Sequence, residues 1–266
     1  MLHRLALVVS AVGLVVAGQP LAAELQPHRA LYRMSLAQSA PSEDVAAADG
    51  IMLYQFARGC DGWTVENKTV LRLSYQNEAS TETVWSFVSW ESFDGRHFRF
   101  RARYEQDGQK LEKLDGHADL GGPGKTGEAV FDEPEGLRIP LPAGTIFPTA
   151  HVREVLNAAV KKRHRLSATV FDGASVDNPY QVSALFGPLP QADAETLAKS
   201  AGLPVLPTWW TRMAFFPLAS QEALPEFEID AQYRADGIAD AIRQSFERFA
   251  VDVRLNNLQV LPNPEC

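Results

Sequence analysis

The strongest constraint on this chain is a hydrophobic period of two that recurs along most of its length, the mark of half-buried β-strands. It is clearest where Phe98, Phe100, Ala102 and Tyr104 alternate with Arg99, Arg101, Arg103 and Glu105. Asp107-Gly108 follows, a two-residue hairpin turn of the favoured kind. Simple pairing about that turn sets Tyr104 opposite Leu111 and Arg103 opposite Glu112, then fails because Ala102 would face Lys113. One extra residue at Lys113 restores the pattern: Ala102 faces Leu114, Arg101 faces Asp115 and Phe98 faces Ala118. A β-bulge is therefore expected near Lys113. The arginine row reads as a solvated face paired with Glu112 and Asp115, with an anion-binding stripe as the functional alternative.

The same alternation marks residues 28–36, with Ala30, Tyr32, Met34 and Leu36 on one face, and residues 63–75, with Trp63, Val65, Leu71, Leu73 and Tyr75 together. Residues 51–57 form a strand, residues 81–91 carry Trp85 and Phe87 on one face, and further strands fall at 166–171, 180–186, 209–216, 227–233 and 251–260. Residues 39–50 and 121–128 read as loops, and Pro140 and Pro142 suit a sheet edge. One helix is expected after Pro148, capped by Thr149, with Val152, Val155, Leu156, Ala159 and Val160 on one face. Lys161, Lys162 and Arg163 lie near its C-terminus, where the helix dipole favours cations. Residues 187–208 contain four prolines and at most a short helix about 194–200, while 238–249 fits a helical stripe as well as a strand. The architecture is mainly antiparallel β, with roughly ten to fourteen short strands.

Residues 1–23 read as a secretory leader: His3 and Arg4, an apolar run over 5–16, then Leu21-Ala22-Ala23. The run is too short to span a bilayer comfortably, and no cysteine follows it for lipid attachment. Residues 24–266 are expected to fold as a single domain in the periplasm. The two cysteines, Cys60 and the final Cys266, would meet an oxidant there, which favours a bridge over two free thiols. No Cys-x-x-Cys pair suggests redox catalysis. The formal net charge is −8, and loss of the leader removes one further arginine, so nucleic acid and anionic lipid headgroups are poor partners unless a local patch overrides the average.

Catalytic motifs fail one by one. Gly124-Lys125-Thr126 lacks the upstream glycine of a phosphate loop, since position 119 is Asp. Asp172-Gly173-Ala174-Ser175 is no nucleophile elbow. His97 and His117 could approach across a hairpin, but two ligands are too few for a metal without a further Asp or Glu. No positioned acid and base is evident, so neither a cofactor, a metal nor an enzyme activity is expected.

Several segments together resemble the cell envelope integrity protein EipB family of alphaproteobacterial periplasmic proteins. They are Tyr54-Gln55-Phe56 leading to Cys60-Asp61-Gly62-Trp63, Phe93-Asp94-Gly95 before the arginine strand, and Val170-Phe171-Asp172-Gly173. Met213-Ala214-Phe215-Phe216 and the close Val260-Leu261-Pro262-Asn263-Pro264-Glu265-Cys266 complete the set. The resemblance implies an antiparallel β-spiral, or open barrel, of about fourteen strands around one central α-helix. It also implies that Cys60 and Cys266 are the family's disulfide, that 238–249 is strand, and that the protein keeps the envelope intact without a catalytic set. The architecture is broadly like that of lipoprotein carriers, although fold alone does not transfer function.

Two sets of candidate site residues follow. Trp63, Trp85, Phe87, Phe98, Phe100, Tyr104, Trp209 and Phe215 are core, or line an apolar pocket for an acyl chain or peptide. Trp90, opposite Trp85 and Phe87, is expected to be an exposed aromatic and, with Arg99, Arg101 and Arg103, a contact surface. The expected partner is another periplasmic or outer-membrane protein, bound or assisted in a chaperone-like way by a monomer that does not span the membrane; the alternative is carriage of a lipid or lipoprotein inside the spiral.

Overall fold

The computed structural model describes all residues except 1–23, 40–44, 77, 123, 221, 247 and 248. The leader segment therefore lies outside the described residues. The strands run β1 His28–Ser39, β2 Val45–Arg58, β3 Gly62–Tyr75, β4 Thr81–Ser92, β5 His97–Gln106, β6 Gln109–Leu120, β7 Gly127–Glu133 and β8 Arg138–Leu141. Helix α1 Pro148–Val160 leads to β9 Arg165–Val170 and β10 Tyr180–Pro188. Helix α2 Gln191–Ala201 precedes β11 Thr208–Pro217, β12 Phe227–Arg234, β13 Ala239–Ser245 and β14 Phe249–Val260.

All fourteen strands join one antiparallel sheet, in the order β8 back to β1, then β14 back to β9. Two meanders thus meet at the β1–β14 pair, and β8 and β9 are the sheet's two ends. The chain passes from one end to the other through α1. Just before the helix, Ile146 bridges to Val170 on β9 in parallel, covering part of that edge. Pro140, in the edge strand β8, needs no ladder donor on its outer side.

Helix α1 fills the interior. Its Val155, Leu156, Ala158 and Ala159 are buried against Val182, Ala184 and Phe186 of β10 and Met213 of β11, and also against Phe56 and Trp63 from the other meander. A second cluster gathers Phe98 and Phe100 of β5 with Phe131, Phe147 and Phe171. Phe98 stacks on Phe147 with ring centroids 4.9 Å apart. Gly173, at φ 69°, must stay without a side chain, because a Cβ there would meet the Phe100 ring at 2.3 Å. Cys60 and Cys266 are joined, tying the end of the chain to the β2–β3 turn.

Four local expectations need correction. Residues 39–50 are not all loop: β2 already starts at Val45, and Val45 and Ala48 bury against Leu73 of β3, so cross-strand packing overrides the weak strand propensity of an Ala-rich stretch. The bulge lies at Leu111, not Lys113, since Tyr104 pairs with Glu112 and Glu105 with Lys110. Beyond it the pairs are as expected, Ala102 with Leu114 and Phe98 with Ala118. In consequence Arg103 faces Lys113 rather than Glu112, while Arg101 does bind Asp115 at 2.7 Å. Finally, Thr149 does not cap α1: Phe147 holds that position without a side-chain hydrogen bond. Within 238–249 no helix forms among the described residues: β13 takes Ala239–Ser245 and β14 begins at Phe249, strand as the family resemblance implies, and α2 extends the short helix expected near 194–200.

Candidate functional site

Most of the aromatic positions listed from sequence as core or pocket are packed. Trp63, Phe87, Phe98, Phe100, Trp209 and Phe215 are buried. Trp85 is half-buried and stacks on Phe87 with centroids 5.5 Å apart, and Tyr104, paired with Trp85, is half-buried at the rim. The helix that occupies the space between them is anchored by a residue that the strand pattern did not single out. Glu91, at an inward position of β4, accepts hydrogen bonds from the backbone N–H of Thr149 at 2.7 Å and of Ala150 at 2.9 Å. This carboxylate, 4% exposed, supplies the missing N-terminal cap from 58 residues away. Burial pushes its pKa up to about 6, against the pull of those hydrogen bonds and of Arg153. On the same turn His151 is buried with Nε2 unpartnered, and burial brings its pKa down to about 4.

The polar candidates lie on the opposite face of the sheet. One row runs Thr64, Trp90, Arg99 and His117 across β3 to β6; the next runs Glu66, Val88, Arg101 and Asp115. A third runs Leu53, Lys68, Ser86, Arg103 and Lys113. A groove of about 850 Å³ follows the first two rows, with Trp90, Arg99, Arg101, His97 and His117 among its lining. Arg99, Arg101 and Arg103 are all exposed. Arg101 is held by Asp115, and Lys113 is paired with Glu133. Arg99 instead lies 5.4 Å over the Trp90 ring, and among the described residues Arg103 and Lys68 form no ion pair. Trp90 is thus half-buried, not an exposed aromatic. Its indole edge sits against Gly62, where a Cβ would approach Nε1 to 2.7 Å, and its N–H donates to Asp61 at 3.3 Å. The tryptophan that does stand exposed is Trp210 on β11, at 43%.

His97 does not join His117 in a metal site. It pairs with Asp119 at 2.6 Å, because the register sets those two opposite each other. Among the described residues no group of three or more His, Cys, Asp or Glu side chains could hold a metal ion.

Three comparisons bear on this architecture. The cell envelope integrity protein EipB of Brucella abortus (strain 2308) is 24% identical over 247 residues, covering 90% of this chain and 85% of that protein. The crystal structure of a beta-barrel-like protein of domain of unknown function DUF1849 from Brucella abortus matches with a TM-score of 0.82 at 24% identity. It covers 91% of this chain and 100% of that one, and the likeness carries the fold. The family model described as EipB-like matches residues 20–262, so the chain that coils this fourteen-stranded sheet about α1 belongs to the EipB-like family.

Proposed function

We propose that this protein is exported to the periplasm and maintains the cell envelope without catalysis, by binding another envelope protein through the outer face of β3 to β6. The envelope role is supported by the relative named a cell envelope integrity protein. Export is supported by the leader-like residues 1–23 and by a disulfide, which persists in oxidising compartments. Among the described residues no helix is long and apolar enough to cross a membrane. The observation that carries the binding surface is local charge. In a chain of net charge −8, Lys68, Arg99 and Arg103 stand diagonal to the exposed Val88 and, among the described residues, form no ion pair, while Glu66 lies directly across from it. Arginine and tryptophan side by side, rimmed by other polar groups, are what interfaces use as anchors.

The test is complementation. A strain lacking the gene, challenged with an envelope-disrupting agent, receives either the wild-type chain or the Arg99→Glu/Arg103→Glu variant. Both positions are exposed, so the variant folds, with stability lowered by no more than about 1 kcal/mol for the lost Arg99–Trp90 contact, which a thermal melt checks. The reading predicts failed rescue; full rescue would remove this face from the function.

Carriage of a lipid or lipoprotein is the second reading. Most of the aromatic positions that would line an interior pocket are packed, but Trp209 among them lines an apolar cleft at the end of α1, which favours it.

A further inference from the structure

A cleft of about 650 Å³ opens where the C-terminus of α1 meets α2 and the proline-containing segment before β11. That volume is in the range of small-ligand sites. Its walls are apolar: Val160 from α1, Leu189 after β10, and Val205, Leu206 and Trp209 on the way into β11. Val205 is 54% exposed at the cleft's rim, so its side chain is open to a ligand. The ionisable residues of the lining are Lys162, Arg163 and His164, consecutive and exposed at one side. No Asp or Glu lines the cleft, although the chain carries 33 of them. Among the described residues none of the three basic side chains forms an ion pair.

The backbone adds a second observation. Lys162 sits at φ 58°, in the left-handed conformation that ends helices and ordinarily falls to glycine. Its N–H donates to Ala159 O, and that of Arg163 donates to Ala158 O, closing the last turn. A lysine stands here at a conformational cost that glycine would avoid. The partial negative charge of the helix end favours cations nearby. It does not account for an aliphatic cleft directly beside them, or for the lack of any acid in its lining.

We infer that this cleft is a binding site for an amphiphile with one acidic head, its acyl chain against Val160, Leu189, Val205 and Trp209 and its anion at Lys162, Arg163 and His164. The inference deepens the carrier reading and takes nothing from the protein-binding one. It concerns binding alone: a protein that takes up the ligand but never hands it on would sink the carrier reading and leave the site standing.

The probe is 9,10-dibromostearic acid, whose bromines quench tryptophan on contact. Titrated into the purified, disulfide-bonded protein, it should quench fluorescence saturably, and Trp209→Phe should remove most of that signal. Its methyl ester, and the acid with Arg163→Glu, should each bind roughly tenfold more weakly. Lys162→Gly separates ligand binding from helix capping: affinity should fall while the melting temperature holds or rises. Val205→Asp, at an exposed position that leaves the core intact, should abolish quenching. Equal quenching by acid and ester, or a full signal in Trp209→Phe, would overturn the site.

Discussion

Replacing Glu91 by alanine tests whether a strand carboxylate secures the central helix. The substitution leaves the N–H groups of Thr149 and Ala150 without their acceptor in a buried setting and opens a void beneath the helix. Loss of a cap together with unsatisfied buried donors is worth about 2–4 kcal/mol at neutral pH. The pH dependence is more diagnostic. Glu91 holds its proton more tightly in the folded chain, at about 6 against the ordinary 4.5. The native state therefore binds more protons than the unfolded state between those values, and the stability from this group rises as pH falls through them. That linkage is worth about 2 kcal/mol. It vanishes in Glu91→Ala, so the variant's deficit should be about 2 kcal/mol larger at pH 4 than at pH 7.5. Urea unfolding of both proteins at the two pH values measures this, and titrating groups remote from the helix start cancel in the difference; repeating the pair in a His151→Leu background removes the one neighbour that titrates in the same window. A deficit close to zero at neutral pH would refute the capping role, and one that is the same at both pH values would refute the burial-raised pKa.

His151 should act with the opposite sign. Its folded pKa of about 4 lies below the ordinary 6.5, so the stability present above pH 6.5 is lost as pH falls. His151→Leu should stabilise the protein by about 3 kcal/mol at pH 4 and change it little at pH 7.5, read from urea midpoints. Cys266→Ser opens a loop of 206 residues and should lower stability by up to about 5 kcal/mol in the chain-entropy treatment, seen as a lower melting temperature that reductant reproduces in the wild type. Gly173→Ala should cost more than about 2 kcal/mol, because the added methyl meets the Phe100 ring and the backbone is left-handed; thermal melts would show it.

The faces of the strands were legible because alternation is a local property, and β5 shows it well, with Phe98, Phe100 and Ala102 buried and the three arginines exposed. The bulge was misplaced for a physical reason. Either position yields the same pairs from Leu114 onward, and the choice of Lys113 assumed that Leu111 must face inward. At the tip of this hairpin there is no core to face, and Leu111 stays 55% exposed. Glu91 left a readable trace, an acid in phase with Trp85 and Phe87, since a charge on a buried face needs a partner. The partner was not readable, because it is a helix end brought there by tertiary folding. The cleft beside α1 was hidden for the same reason: its walls come from three separate segments, within 159–164, 187–194 and 205–209, that only tertiary folding brings together. Trp90 was placed on the correct face, but Gly62 and Arg99, which half-cover it, are neighbours across strands.

The central claim is that the cationic outer face of β3 to β6 meets another envelope protein. Its most direct test puts a photo-crosslinking amino acid at Val88, exposed in the middle of that face, and illuminates living cells. The account predicts a discrete adduct with one envelope protein that disappears when Arg99→Glu/Arg103→Glu is combined with the probe. No discrete adduct from Val88, or one indifferent to the charge reversal, would contradict it.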